Sequence, residues 1–109
     1  MATTLYGIKN CDTVKKALKA LEGAGRAPVL RDVRAEPLTS DEIARFEAAF
    51  GDALINRSST TWRGLSEAER TAPVASLLAA HPTLMKRPVI EEGETLTLGW
   101  KPEAQAVWL

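Results

Sequence analysis

The sequence predicts an α/β fold in which helices lie against a mixed sheet, and three observations carry that expectation. Thr3 to Ile8, a short β-branched, aromatic and aliphatic run, leads at once into residues whose apolar positions recur at helical spacing. Pro28 to Val33 then forms a second strand-like run. The middle of the chain is dense in helix-start signals. The last part holds two strand-like runs around Glu92-Gly93-Glu94 and a helix that Pro102 can start. The order β-α-β, helical segment, β-β-α is that of a mixed sheet with helices packed on it. With 109 residues the chain is within the usual range for one domain and can bury a core without disulfides or metals.

Each element has its own grounds. After the first strand, Asn10-Cys11-Asp12-Thr13 offers turn and N-cap chemistry. Val14, Ala17, Leu18 and Leu21 then fall on one helical face, with Lys15, Lys16, Lys19 and Glu22 outside it and Gly23 and Gly25 as stop signals. A helix between the first two strands makes a parallel βαβ unit the economical arrangement. Thr39-Ser40-Asp41-Glu42 is a capping box, with Leu38 and Ile43 placed as a hydrophobic staple, so a second helix begins at Ser40 and Gly51 closes it. Asn56 to Arg63 is polar and without period. Ser66-Glu67-Ala68-Glu69 repeats the capping pattern for a short helix, Pro73 suits the first turn of another, and His81-Pro82 ends that one. Arg87 to Ile90 opens a strand, Thr95 to Gly99 is its hairpin partner, and the last helix carries Ala106 and Val107.

Composition narrows the function. Lys plus Arg and Asp plus Glu balance at 14 each, so no net field draws the protein to nucleic acid or to an anionic membrane. The N-terminal residues have neither a basic stretch nor a long apolar core, and the longest weakly polar run, Ala72 to Ala80, is too short to span a bilayer. A cytoplasmic protein is expected. One cysteine and one histidine exclude an internal disulfide and any Cys/His cluster of zinc-site spacing, so no metal site is expected. His81 reads as a helix-end residue without a catalytic role.

The chemistry then centres on Cys11. It follows a strand and stands at the mouth of a helix, where unpaired backbone N–H groups and the positive end of the macrodipole favour a thiolate. Lys9, Lys15 and Lys16 add to that effect and Asp12 opposes it. A Cys-x-x-Cys pair would need a second cysteine at position 14, where the chain has Val14. A mixed disulfide on Cys11 must therefore be cleared by an outside thiol.

Along Gly7-Ile8-Lys9-Asn10-Cys11-Asp12-Thr13-Val14-Lys15-Lys16-Ala17 the sequence resembles the YffB-like branch of the arsenate reductase (ArsC) family, whose members open with a Gly-Ile-Lys-Asn-Cys-Asp-Thr type of motif. The likeness continues through Ala53-Leu54-Ile55-Asn56, Thr60-Thr61-Trp62-Arg63, Lys86-Arg87-Pro88 and Leu98-Gly99. The resemblance implies one thioredoxin-like (glutaredoxin-like) domain over residues 1–109, with a helical insertion at about 38–82 between the βαβ and ββα halves. It further implies a redox cysteine at the start of the first helix, glutathione as co-substrate with no bound cofactor, and Pro88 as a cis-proline facing the cysteine. Asn10 and Thr13 complete the structural surroundings. Arg87 matches an anion-binding arginine of the arsenate-reducing relatives. Arg57 lies about one residue from a second, and Lys101 stands where a third would be, trading a planar fork for a point charge. Arg57 and Arg63 also read as solvated loop charges, Lys101 as a surface lysine, and Trp62 as a roof over the core.

The activity this implies is a glutathione-dependent thiol reductase acting on a small anionic or disulfide substrate, with glutaredoxin as a further partner. Arsenate reduction by the same cysteine is one alternative. A second is an adaptor like the Spx branch, which shares the fold and binds RNA polymerase, although its redox switch uses the Cys-x-x-Cys pair missing here.

Overall fold

The computed structural model describes residues 2–109. In chain order its elements are β1 (Thr4–Gly7), α1 (Asp12–Gly23), β2 (Val29–Asp32), α2 (Ser40–Phe50), α3 (Thr60–Arg63), α4 (Glu67–Arg70), α5 (Val74–Ala80), β3 (Val89–Glu92), β4 (Thr95–Leu98) and α6 (Pro102–Trp108), with 3-10 turns at Gly51–Leu54 and Pro82–Leu84. The backbone falls into two compact units. One runs to Val33 and resumes at Arg87–Leu109; the other is Arg34–Lys86, between those two parts in sequence.

The first unit holds the sheet, in the order β2-β1-β3-β4. β1 and β2 are parallel, as the α1 crossover between them requires, while β3 runs antiparallel to both β1 and β4. Glu92 pairs with Thr95, so Gly93 and Glu94 form a two-residue hairpin turn, and Gly93 takes the positive φ of 60° that its first central position calls for. Leu5 pairs with Leu30 and Ile90, and Ile90 with Thr97, which makes one row across the sheet. On that face Leu5 and Ile90 join Val14, Ala17 and Leu21 of α1 and Trp108 of α6 in a buried core. The Trp108 indole N–H donates to Thr97 Oγ1 at 2.7 Å, so its polar atom is satisfied inside that core.

The spacing in α1 therefore does what the sequence predicts: Val14, Ala17 and Leu21 are buried and Leu18 packs at the margin. The last helix starts at Pro102 and carries Ala106 and Val107, as the sequence predicts. Its buried residues are Ala104 and Trp108, one turn apart, whereas Val107 is 47% exposed. Pro102 at its start and an i, i+4 pair of inward residues are enough to seat a helix this short.

The second unit is helical. Thr39 caps α2 and exchanges hydrogen bonds with Glu42 in a capping box, and Ser66 and Glu69 do the same at α4. Gly51 ends α2 with φ 57°. The stretch from Asn56 to Arg63, patternless in sequence, contains α3, a single turn started by the Ser59 hydroxyl accepting from the Trp62 N–H. A one-turn helix shows no apolar period, so its signal is the cap alone. The Asn56 N–H donates to the Leu84 carbonyl at 2.8 Å and the Lys86 N–H to the Leu54 carbonyl at 2.7 Å, closing the unit's return loop on itself. Among the described residues no helix is long and apolar enough to cross a membrane.

Candidate active site

Cys11 is the N-cap residue of α1. Its backbone is extended (φ −87°, ψ 124°) and its carbonyl accepts the first intrahelical bond, from the Lys15 N–H at 3.0 Å. The Cys11 N–H donates to the Ile8 carbonyl at 3.1 Å, which closes a β-turn with Lys9 and Asn10 at its centre. Asn10 thus does the turn work expected of it. The capping expectation fails: no side chain caps α1, and both Asn10 and the first-turn Thr13 are exposed. A 12-residue helix whose opening amides lack a side-chain acceptor presents N–H groups and partial positive charge to whatever lies at its mouth, worth about 0.3–1 kcal/mol to an anion there. The Cys11 side chain is half-buried, packed against the margin of the core but not enclosed by it. Lys9, Lys15, Lys16 and Asp12 are all exposed, so their charges act through water and are screened.

Two features hold this loop in place. Gly7, the last residue of β1, meets α1 so closely that a Cβ built there would lie 2.6 Å from Val14 Cγ2. Only glycine allows the strand end and the first turn of the helix to approach this far. The Lys9 N–H also donates to Asp32 Oδ2 at 3.2 Å, tying the turn to the end of β2. Neither role was assigned from sequence. A glycine inside a strand pattern signals close backbone approach and could have marked Gly7, whereas Asp32 lies 23 residues from Lys9 and has no local signal.

The register places the remaining first-unit candidates. Tyr6 pairs with Val89 and Val89 with Leu98, so the end of β1 that leads to Cys11 is also the end where β3 begins and β4 finishes. Pro88, buried, immediately precedes β3, and the Arg87–Pro88 peptide bond is cis, as the resemblance implied. Arg87 is half-buried at the bend before it, just outside the strand expected to contain it. The Gly99 N–H donates to the Pro88 carbonyl at 2.8 Å, and Lys101, exposed, is the N-cap residue of α6 two positions on. Cys11, Arg87, Pro88 and Lys101 therefore all stand on segments that leave one end of one sheet. Arg57 belongs to the second unit. Its guanidinium donates to the Asp52 carbonyl at 3.2 Å and lies 5.3 Å from the centre of the Trp62 ring, which Arg70 also approaches at 5.7 Å. Among the described residues no group of three or more His, Cys, Asp and Glu could hold a metal ion.

A mixed four-stranded sheet, a cysteine at the opening of the first helix and a cis-proline before the third strand define a thioredoxin-like protein of the single-cysteine kind. Residues 6–107 match the ArsC family, and the chain belongs to it. An uncharacterised protein of Haemophilus influenzae is 43% identical over 96% of this chain and 97% of its own length. Among solved structures, a YffB (PA3664) protein superposes with a TM-score of 0.90 at 36% identity, covering 99% of each chain. An arsenate reductase (ArsC) related protein from Brucella melitensis gives 0.77 at 38% identity, over 99% of this chain and 94% of that one. Family and neighbours together support an oxidoreductase.

Proposed function

We propose that the protein is a glutathione-dependent thiol–disulfide oxidoreductase with Cys11 as its nucleophile. The observation that carries the reading is the placement of Cys11: the chain's one thiol is the N-cap of a long helix that no side chain caps, and it is partly open to solvent. In the first step the Cys11 thiolate attacks one sulfur of a substrate disulfide, for which oxidised glutathione can stand in when only this single step is followed. A new S–S bond forms to Cys11, the substrate S–S bond breaks, and the departing thiolate takes the electron pair and then a proton. The product is a mixed disulfide. With no second cysteine in the chain, a glutathione thiolate supplied from solution attacks that bond, leaving Cys11 reduced and a glutathione disulfide as the oxidised product.

Arg87 is the residue we assign to hold an anionic group of the substrate, because it stands beside Pro88 at the end of the sheet where Cys11 emerges, and Lys101 is a secondary cation at the same end. Intact mass spectrometry after incubation with oxidised glutathione tests both assignments. One glutathione should add to the protein and none to Cys11→Ser. Arg87→Ala should form the adduct at least about tenfold more slowly, the loss of one hydrogen bond to a charged group. An adduct that survives in Cys11→Ser, or no adduct at all, sinks the reading. Relatives described as arsenate reductase related raise arsenate as a second oxidant for the same sulfur. With Lys101 in place of an arginine fork, turnover of arsenate with glutathione and glutaredoxin is expected to stay at the level of the Cys11→Ser control.

A further inference from the structure

The outward face of α1 carries a charge pattern that the proposed chemistry does not use. Lys15 and Lys19 follow Cys11 at one-turn intervals, and Lys16 lies beside them. All three are exposed, and Val14, Ala17 and Leu21 occupy the opposite, buried face. Among the described residues none of the three has an ion-pair or side-chain hydrogen-bond partner, although the chain as a whole is charge-balanced. Lys9, in the turn before Cys11, is exposed as well. Three carboxylates lie with them, Asp12 in the first turn, Glu22 beyond Lys19 and Asp32 beside the Lys9 backbone, so four ammonium groups face three carboxylates. Helical side chains lean toward the N-terminus of their helix, which here aims the lysine stems at the Cys11 end. From Cys11 to Lys19 the helix rises ~12 Å, the span of about four residues of extended chain.

We propose that this stripe is a docking track for an acidic polypeptide. The disulfide that Cys11 attacks would then belong to a protein or peptide with carboxylates about two to four residues from its reactive cysteine. This rests on the reading of Cys11 as a nucleophile and adds the partner's chemistry to it. Unpaired lysines raise the local concentration of an oppositely charged segment and orient it before any bond forms, an effect on association rate that salt weakens.

The test uses three peptides of equal length, each with one cysteine activated as its mixed disulfide with thionitrobenzoate and flanked by glutamates, glutamines or lysines. Cys11 attacks the peptide sulfur, the new S–S bond joins protein and peptide, and thionitrobenzoate leaves with the electron pair, so its absorbance reports the rate. At low ionic strength the glutamate peptide should react roughly tenfold faster than the glutamine peptide and the lysine peptide slowest, with the differences closing as salt is added. In the triple variant Lys15→Gln, Lys16→Gln, Lys19→Gln the glutamate-to-glutamine ratio should fall to near one. Taken within one protein, that ratio is independent of any change in the intrinsic reactivity of the thiol. If the triple variant does not fold, the salt dependence of the unaltered protein still decides. Equal rates for the three peptides, or a preference that salt or the triple variant leaves intact, overturns the proposal. So does binding of a short single-stranded DNA, read by fluorescence anisotropy, that the triple variant loses, because the stripe would then serve nucleic acid. Neutral 4,4′-dithiodipyridine separates the two ideas: brisk reaction with it and no peptide preference removes the docking track alone, whereas no reaction removes the nucleophile and the track together.

Discussion

The two ends of the sheet are built in opposite ways. At the end away from Cys11, Arg26 in the loop after α1 links two elements, α6 and β3: its Nε–H donates to the Trp108 carbonyl at 3.0 Å, its guanidinium lies 5.2 Å from the centre of the Trp108 ring, and it pairs with both Glu92 carboxylate oxygens at 3.2 Å. Thr3 adds its hydroxyl to the same carboxylate at 2.6 Å. At the other end the loop bearing Cys11 is held by one close steric contact, one turn hydrogen bond and one bond to Asp32, and its helix opens without a side-chain cap. The lesson is a division of labour. Polar side chains join strands and helices at the end away from Cys11, and backbone donors stay uncapped by side chains at the helix mouth where Cys11 stands.

Exchanging a single atom separates the two ends most sharply. Cys11→Ser should lose all reaction with disulfides while unfolding in urea at nearly the same midpoint, since the change touches only the margin of the core. Gly7→Ala comes next. Its added methyl has no room beside Val14, so the strand end and helix must separate, at a cost of roughly 1–3 kcal/mol in urea unfolding. It should also slow adduct formation at Cys11, because the turn that carries the thiol moves with the strand. A Gly7→Ala protein with full stability and full reactivity would mean that the contact positions nothing.

Arg26→Ala attacks the opposite end. Removing its hydrogen bonds and ring contact should lower stability by about 1–3 kcal/mol and leave the rate of adduct formation unchanged, so any slowing would show that the two ends are coupled. The smallest effect is in pH. The Thr3 hydroxyl foremost holds the Glu92 carboxyl below the usual glutamate range; burial opposes it, and the charge and hydrogen bond of Arg26 add to the lowering. A carboxylate lowered on folding contributes stability at pH above its unfolded value of about 4.3, and the contribution disappears as pH falls through the lower folded value. Thr3→Val should therefore lower stability slightly at neutral pH, match the unaltered protein in acid below the folded value, and so flatten the acid limb of the stability profile.

What sequence made legible follows from range. Capping boxes are written in residues three apart, and both Thr39 to Glu42 and Ser66 to Glu69 form as expected. The inward face of α1 and the Gly93 turn are equally local. Cys11 could be singled out because a strand, a turn and a helix meet at it within a few residues, and the cis bond before Pro88 came through family likeness. Long-range contacts stayed hidden. The tie from Lys9 to Asp32 and the clamp from Arg26 to Trp108 join residues that nothing nearby in sequence connects. The exposure of Val107 depends on which turn of α6 meets the sheet, and an apolar count cannot tell that.

The contact between Gly7 and Val14 has one more consequence. An ion pair weakens in salt and vanishes when a partner takes up a proton, but the mutual exclusion of a backbone and a valine methyl has neither dependence. The joint between the strand end and the helix that opens at Cys11 is thus a mechanical stop, and it keeps its shape through swings of acidity and ionic strength that would loosen the clamp at the far end of the sheet.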